Sequence, residues 1–154
     1  PDEKLYIVGG IMKGDHAAAY AKNVFQNLPK NVKYLGVVSE KELERLYGEC
    51  KGFISTAMNE DFGMSGVEAM SAGKSVVISA EGGHKESVIN EKTGYLIYVN
   101  DNGRIDNIIN SVKKISKDPD MFKRVCQQQA KMFSEEVFIK RMREEIKDGI
   151  QKAT

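Results

Sequence analysis

Short apolar runs alternate with amphipathic stretches through the first hundred residues. Residues 4–9 (KLYIVG) group β-branched and aromatic side chains and stop at Gly9-Gly10, which predicts a buried strand. Asp15 stands where an N-cap belongs, ahead of three alanines, and predicts a helix to about Asn27. Residues 32–35 form a second short strand. Ser39 and Glu42 have capping-box spacing, so a helix is expected from there to about Glu49, with Leu43, Leu46 and Tyr47 as its apolar stripe. Residues 52–57 (GFISTA), 75–79 (SVVIS) and 94–99 (GYLIYV) read as three further strands. Between the first two of these, residues 63–72 form a helix that Gly73 stops in the left-handed conformation. A short helix is expected over residues 85–90, and a longer one over residues 104–117. Asp118-Pro119 read as N-cap and N1 of the next, and a last helix begins after Ser134.

Strands that alternate with helices pair in parallel through right-handed crossovers. The fold expected is α/β, a Rossmann-like doubly wound parallel sheet with a helical C-terminus, forming one compact unit over residues 1–154. Ligands of such sheets bind outside the carboxyl ends of the strands. Residues 9–14, 36–39, 58–65 and 80–85 are therefore the places to look for chemistry.

The third of these loops carries the strongest pattern. Two carboxylates, Glu60 and Glu68, are separated by seven residues, and between them the backbone passes Gly63 into a helix. The first amides of a helix lack internal partners and lie at its positive end, so residues 63–65 offer a seat for a phosphate or diphosphate. Gly63, without a Cβ, lets a ligand approach the backbone. Glu68 lies about 7 Å into the helix, and helical side chains lean toward the N-terminus, so its carboxylate reaches back to the same seat. Ionised carboxylates only accept hydrogen bonds, and vicinal sugar hydroxyls are suitable donors. A diphosphate with a hydroxylated ring on each side, a nucleoside-diphosphate sugar, fits that order. First-turn acids also serve simply to complement a helix dipole, and a carboxylate pair can hold a metal. Spacing alone leaves all three readings open.

Composition narrows the field by exclusion. The 154 residues suit one domain, and 23 cations against 22 anions leave a formal charge of +1. No electrostatic reason exists to expect nucleic acid or an anionic membrane as the main partner. No apolar run approaches the roughly 20 residues of a membrane-spanning helix, and no signal-peptide pattern opens the sequence. Cys50 and Cys126 lie far apart in regular segments and are read as reduced, which favours a cytoplasmic location; a place at the inner face of the membrane is the further expectation. Pro1 in place of methionine suggests a piece cut from a longer protein.

The linked motifs Glu60-Asp61-Phe62-Gly63-Met64, Glu68-Ala69-Met70-Ser71-Ala72-Gly73-Lys74-Ser75-Val76-Val77, Gly82-Gly83-His84-Lys85-Glu86 and Lys92-Thr93-Gly94-Tyr95-Leu96 strongly resemble the C-terminal, donor-binding domain of GT-B glycosyltransferases of family 4, the glycosyl transferases of group 1. The segment Leu35-Gly36-Val37-Val38-Ser39, with Leu43 and Leu46-Tyr47, matches the family's stretch ahead of the nucleotide site. The resemblance covers residues 4–118.

It implies a retaining transferase, hexosyl or mannosyl, that moves sugar from a nucleoside-diphosphate donor to a glycan or lipid-linked acceptor without cofactor or required metal. Glu60 is implied as the catalytic-site acid that contacts the transferred sugar. Glu68 is implied as ligand of the ribose, the backbone of Gly63, Met64 and Ser65 as seat of the distal phosphate, and Val38 as the position whose backbone reads the base. Phe62 is expected to fix its loop, Met64 and Met70 to pack, Gly82-Gly83 to make a tight turn, and His16 and His84 to stay out of the chemistry. The Arg and Lys that the family places just upstream, and its N-terminal acceptor domain, have no counterpart in this sequence, which opens on the family's second strand. The chain is thus expected to be a donor-binding fragment, inactive alone, with any peripheral membrane association belonging to the full-length protein. Glycogen-, sucrose- or trehalose-type synthases and phosphorylases share the motif and form the alternative. A non-catalytic nucleotide-binding or receiver-like module is the alternative of another class.

Overall fold

The computed structural model describes residues 3–11, 13–98 and 102–153. The chain forms two compact units, Pro1–Arg45 and Leu46–Thr154.

The first unit contains β1 (Leu5–Val8), α1 (Asp15–Phe25), β2 (Val32–Gly36) and the start of α2 (Glu40–Glu49). β1 and β2 pair in parallel from Leu5 opposite Val32 to Val8 opposite Gly36, with a register shift after Ile7. The ring of Phe25 stacks on that of Tyr34 with centroids 4.1 Å apart, which lays α1 on the pair. The Tyr34 hydroxyl donates to the carbonyl of Gly9 (2.8 Å) and ties down the turn after β1. Two expectations about helix starts change here. Gly14, not Asp15, is the N-cap of α1; Asp15 is the first helical residue, and no side chain caps that end. At α2 only half of the capping box forms. The Glu42 amide donates to Ser39 Oγ (3.3 Å), but the Glu42 carboxylate turns forward to Arg45 (2.7 Å) instead of back to Ser39. Ser39→Ala should therefore cost about 0.5–1 kcal/mol, read as a small drop in the urea midpoint. An unchanged midpoint would show that the cap contributes nothing.

The second unit is built on a parallel sheet of β3 (Gly52–Ser55), β4 (Ser75–Ser79) and β5 (Gly94–Ile97), in the order β3-β4-β5. Val99, expected in β5, lies outside the described residues. All five residues of β4 are buried, as a central strand covered on both faces requires. Alternate side chains then feed different cores. Val76 and Ile78 pack with Val67, Ala69 and Met70 of α3 (Met64–Ser71) and with Cys126 and Ala130 of α6 (Lys123–Lys131). Val77 joins Tyr95, Ile97 and Ile115 on the side of α5 (Arg104–Lys117). Each of the valine, isoleucine and methionine side chains among these contributes about 1.5–3 kcal/mol of burial.

α3 ends as the sequence predicts. The amides of Gly73 and Lys74 donate to the carbonyls of Met70 (2.9 Å) and Ala69 (3.0 Å), the paired bonds of a Schellman stop. The short helix α4 (His84–Ser87) starts one residue earlier and ends three earlier than expected. Asp118-Pro119 do not open a helix. They enter a turn, and α6 begins after Phe122, which packs into both cores and so sets the helix start from the inside. α7 (Glu135–Ala153) closes the chain.

Candidate functional site

The loops after β3 and β4 meet at the carboxyl edge of the three-stranded sheet. They touch backbone to backbone. A Cβ on Gly82 would overlap the carbonyl oxygen of Glu60, and one on Gly83 would stand 2.5 Å from the carbonyl oxygen of Asp61 and closer still to Cα of Phe62. The Gly83 amide donates to the Glu60 carbonyl (3.1 Å). Gly82-Gly83 is therefore more than a tight turn: both glycines are needed so that one loop can lie on the other.

Glu60 is clamped by that contact and bends back on its own loop. Its Oε1 accepts from the amide of Gly63 (3.2 Å), the N-cap of α3, which lies in the left-handed region at φ 78°. Among the described residues no acceptor is found for the next two amides, those of Met64 and Ser65, and both residues are exposed. Of the three amides proposed from sequence as an anion seat, two are thus open and the first is held by Glu60. Met64, expected to pack, is 46% exposed, while Met70 is wholly buried. Helical periodicity explains the difference, because position 64 falls on the outward side of the first turn.

Glu68 is exposed on the same helix, one turn on. Its Oε2 accepts from the hydroxyl of Tyr47 (3.1 Å), which also lies 3.3 Å from the carbonyl oxygen of Ser65. Burial first, and then the adjacent Glu68 carboxylate, push the Tyr47 phenol well above its usual pKa. The two carboxylates thus bracket residues 63–65, Glu60 at the first amide and Glu68 tied through Tyr47 to the third residue. Val38 belongs to the first unit and follows β2.

Beneath Gly63 lies His84, fully buried. The Ser79 hydroxyl gives its proton to the carbonyl of Ala57. The contact of 3.4 Å between Ser79 Oγ and His84 Nδ1 therefore runs from an Nδ1–H to the serine. In the neutral ring Nε2 then carries only a lone pair, and no partner for it is found among the described residues. His84 is part of the floor under the helix mouth and has no surface to act from. Phe62 packs edge-on to Phe133, centroids 5.6 Å apart, and fixes the loop as expected.

Next to the helix mouth opens a cavity of about 680 Å³ lined by Asn59, Glu60, Asp61, Glu81, Gly82, Gly83, Lys85 and Glu86. Four carboxylates against one lysine make it rich in hydrogen-bond acceptors, suited to a neutral polyhydroxyl group and not to a phosphate. Asp61, Glu81 and Glu86 were not singled out from sequence. Their signal was positional, since all fall in or beside the loops that follow β3 and β4.

Parallel strands, helices on both faces of a sheet and a helix mouth at its carboxyl edge form an α/β architecture that matches the folds of GT-B glycosyltransferases. The family model for glycosyl transferases group 1 matches residues 1–132, and the chain belongs to that family. It is similar to the alpha-1,3/1,6-mannosyltransferase ALG2 of Dictyostelium discoideum, 35% identical over 92 residues that make up 60% of this chain and 21% of that protein. The solved structure of Anabaena Alr3699/HepE in complex with UDP and glucose is similar with a TM-score of 0.77 and 26% identity, covering 97% of this chain and 41% of that one. Sucrose-phosphate synthase from Thermosynechococcus elongatus shares the fold, with a TM-score of 0.78 at 24% identity over 98% of this chain and 39% of that chain. The chain thus spans well under half the length of these relatives. No helix among the described residues is long and apolar enough to cross a membrane.

Proposed function

We propose that this chain is the donor-binding part of a retaining glycosyltransferase of family 4, which transfers a hexose, mannose foremost, from a nucleoside-diphosphate sugar to a glycan or lipid-linked acceptor at the cytoplasmic side of a membrane. The observation that carries the proposal is the open mouth of α3. The amides of two exposed residues, without a partner among the described residues, stand there between two carboxylates, beside a cavity rich in acceptors.

The roles follow from the chemistry of each part. The distal phosphate sits on the amides of Met64 and Ser65, where the positive end of the helix stabilises charge as the diphosphate departs. The transferred sugar lies in the acidic cavity with its hydroxyls donating to Glu60. Glu68 takes the ribose hydroxyls, and the backbone at Val38 reads the base. No metal enters this scheme, because the helix mouth supplies the positive end that a cation otherwise would. Departure of the diphosphate and attack by the acceptor take place on one face of the sugar, which gives retention. Acceptor binding falls to a further domain of the kind its longer relatives have length for, so this chain alone binds donor without turning it over. Similarity to a mannosyltransferase and to a protein solved with UDP and glucose supports a nucleotide-sugar donor and sets the order of candidates.

Calorimetric titration of the chain with UDP-glucose, GDP-mannose and ADP-glucose tests this reading. One sugar nucleotide should bind in preference to the others and more tightly than its free sugar. Equal affinity for all three and for inorganic pyrophosphate would reduce the site to a simple anion seat.

A further inference from the structure

Tyr47 combines a half-buried ring with a hydroxyl that serves the surface. The ring packs on Phe53, centroids 6.0 Å apart, and against the core formed by Val67, Met70 and Val76. The hydroxyl emerges at the first turns of α3 and has two acceptors in reach, Glu68 Oε2 at 3.1 Å and Ser65 O at 3.3 Å. It has one proton to give. The charged and nearer carboxylate takes the larger share. An exposed glutamate otherwise samples many rotamers, and fixing one of them opposes binding. A phenol whose ring is already held by packing can fix it in advance at little further entropic loss.

From this geometry we propose that Tyr47 is a positioning residue for Glu68. It occupies Oε2 and leaves Oε1 as the oxygen presented to the ribose hydroxyls of the nucleotide. The inference rests on the reading of Glu68 as the ribose ligand. It adds that the ribose preference of the site is set from α2, by a residue that does not itself touch the ligand. The phenol keeps its proton throughout the neutral range, since burial and the adjacent carboxylate both oppose its ionisation. Sequence pattern hides the role, because Tyr47 falls on the apolar stripe of its helix and is fully accounted for there as a packing residue.

The test is a titration of the isotopically labelled full chain followed by NMR, with UDP and GDP against their 2′-deoxy counterparts. Four proteins are compared: wild type, Tyr47→Phe, Glu68→Gln and the double variant. Tyr47→Phe keeps the ring and its packing on Phe53, and thermal unfolding checks that the fold is retained. Wild type should prefer the ribonucleotide, and Tyr47→Phe should reduce that preference by about threefold to tenfold, the net worth of one typical hydrogen bond. In the Glu68→Gln background the same change should have no further effect, since the two residues act as one unit. A preference that survives Tyr47→Phe but is lost in Glu68→Gln overturns the role of Tyr47 alone. The role is overturned too if Tyr47→Phe weakens binding equally with and without Glu68, because it then acts through the fold. Absence of any ribose preference, or of nucleotide binding, in wild type overturns the ribose reading and this inference together.

Discussion

On the proposed function, Glu60→Ala is expected to lower sugar transfer about tenfold to a hundredfold in a protein that pairs this chain with an acceptor-binding domain. That range is the worth of one hydrogen bond to a charged group. Glu68→Ala is expected to lower it by about tenfold or more through loss of ribose contacts. The structure adds a way to tell the two apart. In the free protein Glu60 Oε1 accepts from the Gly63 amide, so sugar and helix mouth compete for the same carboxylate. Removing that carboxylate releases a third amide to the anion seat and takes a negative charge away from it. Glu60→Ala should therefore bind the bare nucleoside diphosphate at least as tightly as wild type, while the gain in affinity from the attached sugar disappears. Glu68→Ala should weaken nucleotide and sugar nucleotide alike. Rates near wild type in both variants would remove both roles. A Glu60→Ala protein that loses the bare diphosphate would show that Glu60 holds the loop and not the sugar.

Much of this architecture was legible because it is written in local patterns. The run SVVIS at residues 75–79 has no polar alternation, and β4 is buried at all five positions. Gly73 announces the end of α3, and the amide bonds of residues 73 and 74 make the stop it implies. Legibility fails where distant residues decide. Asp118-Pro119 carry a valid local start signal, yet α6 waits for Phe122, whose ring is wanted in two cores at once. Glu42 has the spacing to reach back to Ser39, but Arg45 lies within 2.7 Å in the other direction and offers a charge. The candidate site shows the same division. That Glu60, Gly63 and Glu68 stand together at the mouth of α3 follows from spacing and helix geometry, whereas the roles expected of them came with the family resemblance. That Glu60 already holds the Gly63 amide is a local contact between residues three apart, which spacing permits without announcing. That Tyr47 reaches Glu68 across 21 positions, and that Glu81 and Glu86 share a cavity with Glu60, are facts of tertiary approach. No window of sequence contains them.

The Gly63→Ala variant should be a strongly damaging single-methyl change at the site. Two costs combine. Alanine at φ 78° loses about 1–2 kcal/mol in the left-handed region. Its Cβ would also stand 2.5 Å from Nε2 of His84, and nearer to Cδ2, against a ring with no exposed surface and nowhere to retreat. Overpacking of this kind adds about 1–3 kcal/mol. A total of about 2–5 kcal/mol lowers the melting temperature by roughly 5–15 °C in a chain of this length. The steric part can be separated from the backbone part. His84→Ala removes the ring edge that the new methyl strikes, so in the His84→Ala background Gly63→Ala should cost only about 1–2 kcal/mol, the conformational share alone. Full additivity of the two substitutions would mean that His84 does not support the helix mouth. Coupling between them would identify the buried histidine as the reason a glycine stands at residue 63: the ring fills the space a side chain would need, and so holds the first turn of α3 in place beneath its open amides.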